Sequence, residues 1–305
     1  MKKIAKFFAA TALALVVCVA ANAQDLTQAG ELYNNAATAL NEGNTAAALE
    51  GFQKALDMAL ALGDEGAELA NDCKGIIPKL LLSMGKDAVN AKEMDKAIEL
   101  LAQAQKLATE YGQAEVAADA KDLVPQVYIA DGNALLNAKK FAEAAAEYQK
   151  ALDLNGENGV AWIRLGMCKA NTNDVEGAIA AFTKAAEFGQ KAAADQQIGN
   201  IYLKAAVAAY KAKDNAKTLE NVLKANEYGN TKANIYGGMA AFNLKKYDDC
   251  IKLLEGDNSV NAKYYLARTY EAKANNAKAC EYYKQITSDK NFGAYATSKV
   301  GSLCK

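Results

Sequence analysis

Residues 159–192 read GVAWIRLGMCKANTNDVEGAIAAFTKAAEFGQKA, and this stretch decides the fold class. Trp162, Leu165 and Gly166 recur at the three- and four-residue spacing of one helix face. Ala178, Phe182 and Ala185 do the same in a second segment, after a short polar break. Outward from here the texture hardly changes. After residue 26 the chain reads as helical segments of 12 to 20 residues rich in Ala, Leu, Lys, Glu and Gln, and Pro78 and Pro125 are its only prolines. Strand signals are missing. Polar turns such as Asn41-Glu42-Gly43-Asn44 and Asn137-Ala138-Lys139-Lys140 split the segments into pairs. The expected class is therefore all-α, built of helical hairpins in series.

The hairpins repeat. At an offset of 47, Lys74, Pro78, Gly85, Asn90, Ala91, Lys92, Ala97, Ala104 and Leu107 meet identical residues at Lys121, Pro125, Gly132, Asn137, Ala138, Lys139, Ala144, Ala151 and Leu154. Unrelated helices rarely share so many positions in one register. The pattern continues 34 residues further on, into the Trp162 stretch.

Trp162-x-x-Leu165-Gly166, followed by Ala178, Phe182 and Ala185, resembles the tetratricopeptide repeat. Further matches are Leu32, Ala36, Ala48, Phe52 and Ala55; Leu81, Gly85, Ala97, Leu101 and Ala104; and Tyr128, Gly132, Ala144, Tyr148 and Ala151. Looser ones follow at Tyr202, Ala206, Val222 and Ala225, at Gly238, Ala241 and Cys250, and at Leu266, Ala267, Tyr270, Ala279 and Tyr283. The resemblance implies a right-handed α-solenoid of antiparallel helix pairs, A then B, with about seven repeats. Their expected extents are near 29–62, 78–111, 125–158, 159–192, 199–230, 231–259 and 260–290. A capping helix over 294–304 would close the array as one quasi-linear domain, 24–305. Repeat spacing runs from 49 down to 29, so the early helices should be extended, with Ala67 to Ile77 adding turns ahead of Pro78. Turns such as Asn155-Gly156 and Tyr228-Gly229 replace the prolines that usually close such repeats.

Residues 1–23 read as a secretory signal: Lys2, Lys3 and Lys6, an apolar run from Phe7 to Ala21, and small residues at Ala21-Asn22-Ala23. Cleavage is expected before Gln24, giving an exported, periplasmic or otherwise extracytoplasmic protein with no membrane span. Lipid attachment at Cys18 is the weaker alternative, because Val17 stands where Gly, Ala or Ser is usual. The mature chain then carries 32 basic and 36 acidic groups, a formal charge of −4. That balance, with Arg164 and Arg268 the only arginines, argues against a nucleic-acid partner. Histidine is absent, and so are phosphate-loop, dinucleotide and C-x-x-C motifs. Asp248-Asp249 reads as a solvated helix start. No enzyme, cofactor or metal is expected.

The resemblance implies partner binding on a concave face lined by A helices. Matching positions give Tyr33, Leu82, Ile129, Ile163, Leu203, Ile235 and Tyr264, with Met167, Met239, Tyr210 and Phe242; Met167, Met239 and Phe242 are expected to be the most exposed. The competing reading is packing between A helices. Asn41, Asn90, Asn137, Asn171 and Asn243 end A helices, where they serve either as a peptide clamp or in the left-handed turn conformation that Asn tolerates. A complete carboxylate clamp of Lys, Asn and Arg is missing. Of the five cysteines left after cleavage, Cys250, Cys280 and Cys304 are placed for one disulfide among them, and Cys73 and Cys168 read as buried thiols. The functions that fit are an envelope scaffold or adaptor binding proteins or peptides and, as the alternative, a carbohydrate or small-ligand binder.

Overall fold

The computed structural model describes residues 21–304; residues 1–20, which include Cys18 and all of the leader but its last three residues, lie outside them. The described chain is helical, with no strand among its residues: α1 Ala21–Asn41, α2 Thr45–Ala61, α3 Ala67–Asn90, α4 Met94–Glu110, α5 Ala114–Asn137, α6 Phe141–Leu154, α7 Gly159–Asn171, α8 Val175–Ala185, α9 Lys191–Lys211, α10 Asn215–Glu227, α11 Asn234–Asn243, α12 Tyr247–Leu254, α13 Val260–Ala272, α14 Asn276–Lys284 and α15 Gly293–Leu303. Odd-numbered helices through α13 are the first, or A, members of pairs; the even-numbered ones are B helices. Each A helix packs on its own B helix.

Packing divides the chain into two compact units, one through Gly156 and one from Glu157 on. In the first, Phe52, Ile77, Leu81 and Leu101 are buried among small residues such as Ala48, Ala97 and Ala104. In the second, one core gathers Phe182 and Ile198, and another gathers Leu254, Leu266, Tyr283 and Ile286. Bulky residues meet glycines on the partner helix. A Cβ added at Gly85 would come within 2.8 Å of Leu101, at Gly132 within 2.9 Å of Tyr148, and at Gly166 within 2.6 Å of Phe182. Room for a bulky side chain of the partner helix is thus what Gly85, Gly132 and Gly166 provide.

Every A–B turn has one construction. Two residues beyond the A helix sits a left-handed residue: Gly43, Lys92, Lys139, Asn173, Lys213, Lys245 or Ala274. In the second pair, Lys92 N–H donates to Val89 C=O and Glu93 N–H to Ala88 C=O, the double closure that satisfies a helix end. Asn44, Asp174, Asp214 and Asn275, one residue further, cap the next helix with their side chains. The left-handed role expected of Asn41, Asn90, Asn137, Asn171 and Asn243 therefore falls elsewhere. All five are the last helical residues, because the double closure needs its left-handed residue two positions later.

Both prolines lie inside long A helices, Pro78 in α3 and Pro125 in α5. Pro78 has no N–H to give the carbonyl of Lys74, four residues back. Gln113, at the position just before α5, supplies the missing donor: its side-chain amide reaches the Lys74 carbonyl at 2.6 Å.

Candidate functional site

In the second unit α9 touches α11, and α11 touches α13, so three A helices form a continuous layer. On α9, Asn200, Leu203, Lys204, Val207, Ala208 and Lys211 recur on one face and line an open groove of about 390 Å³. Its floor is apolar, and its lysine rims are exposed. Next to it, the Tyr210 and Tyr236 rings lie 4.5 Å apart, and the Tyr210 hydroxyl is 4.0 Å from the sulfur of Met239.

From α11 onward an aromatic tier surrounds one cation. Phe242 meets Tyr265 edge-on at 5.4 Å, and Tyr264 stacks on Phe292 at 4.2 Å and meets Tyr295 at 5.9 Å. The Arg268 guanidinium lies 4.5 Å from the Phe242 ring centre and 5.6 Å from that of Tyr264, within cation–π range of both. No ion pair joins Arg268 to a carboxylate among the described residues. Its nearest acidic neighbour on α13, Glu271, is engaged elsewhere, accepting from the Tyr283 hydroxyl at 2.7 Å and from the Lys299 ammonium. Burial pushes the Glu271 carboxyl up, but these donors, helped by the charge of Arg268, outweigh it and hold the pKa below the ordinary value. One carboxylate thus ties α13, α14 and α15 together.

Phe242 and Met239, expected among the most exposed residues, are half-buried because Arg268 and Tyr210 lie against them. Met167 is half-buried too, packed on the core of Phe182 and Ile198. Tyr210 and Tyr264 belong to the layer just described. Tyr33 meets Phe52 edge-on at 5.2 Å, and Ile129 is half-buried on α5; both lie in the first unit. Asn137 is exposed at the end of α5, while exposed Asn171 donates to the Met167 carbonyl of its own helix at 2.8 Å. Asp248 and Asp249 start α12, and Asp248 pairs with Lys273.

Of the three cysteines placed for a bridge, Cys280 and Cys304 are joined, with Cα atoms 5.5 Å apart, fastening α14 to the end of α15. Cys250 is a buried thiol 3.1 Å from the Thr269 hydroxyl. Cys73 and Cys168 are buried thiols as well, and burial pushes Cys73 up to about 12, so it is a thiol rather than a thiolate near neutral pH. Among the described residues no group of three or more Cys, Asp or Glu is placed to hold a metal, and no helix is long and apolar enough to cross a membrane.

Reading by repeat position did not find Arg268, Tyr236, Tyr265, Phe292, Tyr295 or the lysine rims. A usable signal was present: Tyr264 and Arg268 stand four residues apart, one above the other on a helix face, in a chain with few arginines.

Residues 135–201 match the tetratricopeptide-repeat family model. Similar solved structures include YrrB, a tetratricopeptide-repeat protein with an unusual peptide-binding site, at 22% identity over 56% of this chain and 91% of that one, TM-score 0.32. A tetratricopeptide-repeat protein from Parabacteroides merdae is 12% identical over 92% of this chain and 100% of its own, TM-score 0.29. The TPR2AB domain of yeast Sti1, solved as a complex with pHSP90, is 14% identical over 92% of this chain and 99% of its own, TM-score 0.37. No curated protein sequence matches the chain.

Proposed function

We infer that this chain, a tetratricopeptide-repeat protein, is a non-catalytic scaffold or adaptor of the bacterial cell envelope that holds a partner protein along the A-helix face of its repeats. The observation that carries the reading is the α9–α11–α13 layer, an apolar groove beside aromatic side chains, with Lys204, Lys211 and Arg268 making no ion pair to a carboxylate among the described residues. A surface of this composition offers hydrophobic anchoring and polar selection together. The alternative, a carbohydrate ligand, needs free ring faces for stacking. Here the faces of Tyr264 and Phe292 are occupied by each other, and Phe242 is covered by Arg268, so a protein partner is favoured. Export rests on the leader at residues 1–23.

Two measurements test this. Fractionation followed by N-terminal sequencing should find an envelope protein beginning at Gln24, and a cytosolic chain retaining Met1 would remove the location. Capture from envelope extract should retain a specific protein on wild type and lose it on Met239→Lys, with helicity unchanged by circular dichroism. Equal retention by both chains would move the partner off this face.

A further inference from the structure

Charge is distributed unevenly between the A helices of the two units. In the first unit, α1, α3 and α5 carry nine acidic residues against four lysines. In the second, α7, α9, α11 and α13 carry seven basic residues, including both arginines, against Asp195 and Glu271 alone. The B helices of the second unit, α8, α10, α12 and α14, hold six of each sign. Basic excess in this unit therefore lies on the A helices. Neutralisation within the chain does not remove it: Asp195 pairs with Lys191, Glu271 with Lys299, and Lys204, Lys211 and Arg268 have no carboxylate in ion-pair contact among the described residues.

We propose that the A-helix face of the second unit receives an extended acidic segment of a protein, its carboxylates on Arg268, Lys204 and Lys211 and an apolar side chain between them over Leu203 and Val207. This rests on the reading of that face as a partner surface and names the partner's chemistry. Ring contacts hold the Arg268 guanidinium in place while leaving it half-exposed, so its fork is pre-organised for a carboxylate. Neighbouring helix axes lie about 8–10 Å apart, so α9 and α13, with α11 between them, are about 20 Å apart. An extended chain rising about 3.3 Å per residue covers that distance in about six residues. A flat anionic membrane fits less well, because Leu203 and Val207 are half-buried while the neighbouring Lys204 and Lys211 are exposed, so the face offers no projecting apolar residue for insertion.

The test is selection of a display library of random dodecapeptides on the full mature chain, with phosphatidylglycerol vesicles as a parallel probe. Enriched peptides should combine Asp or Glu with an apolar residue. Their affinity should fall about tenfold on Arg268→Met, much the same on Arg268→Lys, which keeps the charge but loses the fork, and again on Lys204→Glu with Lys211→Glu. Exposed Lys204 and Lys211 can be reversed without touching the core, so that variant reports binding even where the Arg268 variants fold poorly. Enriched peptides without acidic preference, or acidic ones indifferent to these changes, would overturn the proposal and leave the scaffold reading standing. Vesicle binding in place of peptide binding would overturn it too, and no enrichment at all would remove both.

Discussion

Ala274 has φ 57°, in the left-handed region, where a Cβ crowds the following carbonyl. Every other A–B turn gives this position to Gly, Asn or Lys. Ala274→Gly should raise stability by about 1 kcal/mol, read as a shift of the urea midpoint at unchanged slope; a loss would show that contacts of the Ala274 methyl outweigh its strain. Gln113 makes a different residue-scale case. Gln113→Leu leaves the Lys74 carbonyl without a donor and should cost about 1–3 kcal/mol. Pro78→Ala restores a backbone N–H to that carbonyl, so in a double-mutant cycle it should recover part of the loss; strict additivity would contradict the link. Neither feature could be read from sequence. The repeat pattern located Gly85, Gly132 and Gly166, whose requirement is a small side chain. The Gln113 bond spans 39 residues and depends on how α3 lies against the start of α5.

α15 shows what holds the last described helix in place. α15 is attached by the Cys280–Cys304 bridge, by Lys299 on Glu271 and by Phe292 and Tyr295 against Tyr264. The bridge closes a loop across 24 residues, and loop-closure entropy assigns it about 3 kcal/mol. Cys304→Ser should therefore speed amide exchange in α15 and α14 while leaving α7 and α8 unchanged, since repeats are stabilised mainly by their neighbours. Uniform loosening of the unit would contradict this. The Glu271 contribution has a definite sign. A carboxyl whose folded pKa is lowered stabilises above its unfolded value and loses that effect as pH falls through the folded one. Protection of α15 amides relative to their intrinsic exchange rate should accordingly fall below about pH 4 with the disulfide intact, and Glu271→Gln should show the lower protection already at neutral pH. The helix pairs were legible in the sequence because small and large residues keep fixed spacings. The tie through Glu271 was not, because a helix-surface carboxylate in a chain rich in Lys and Glu looks like any other until its neighbours are placed.

At the scale of the molecule, a formal charge of −1 on the whole chain conceals opposite excesses on the A helices of the two units. Composition averaged these away, and the scarcity of arginine, read only against a nucleic-acid partner, gave no sign that Arg268 sits among rings on the α9–α11–α13 layer. The positions expected to line a binding face, Leu203, Tyr210, Met239, Phe242 and Tyr264, do belong to this layer in the second unit. What periodicity could not supply was the order of cover, Arg268 over Phe242 and Tyr210 against Met239. The central claim is that this layer holds a partner protein, and it is tested most directly in the cell. A photo-reactive phenylalanine at Val207, in the groove, and another at Val175, exposed on α8, should behave differently on irradiation. Val207 should yield a discrete protein adduct that Val175 does not, whereas no adduct at Val207, or the same adduct from both, would contradict the account.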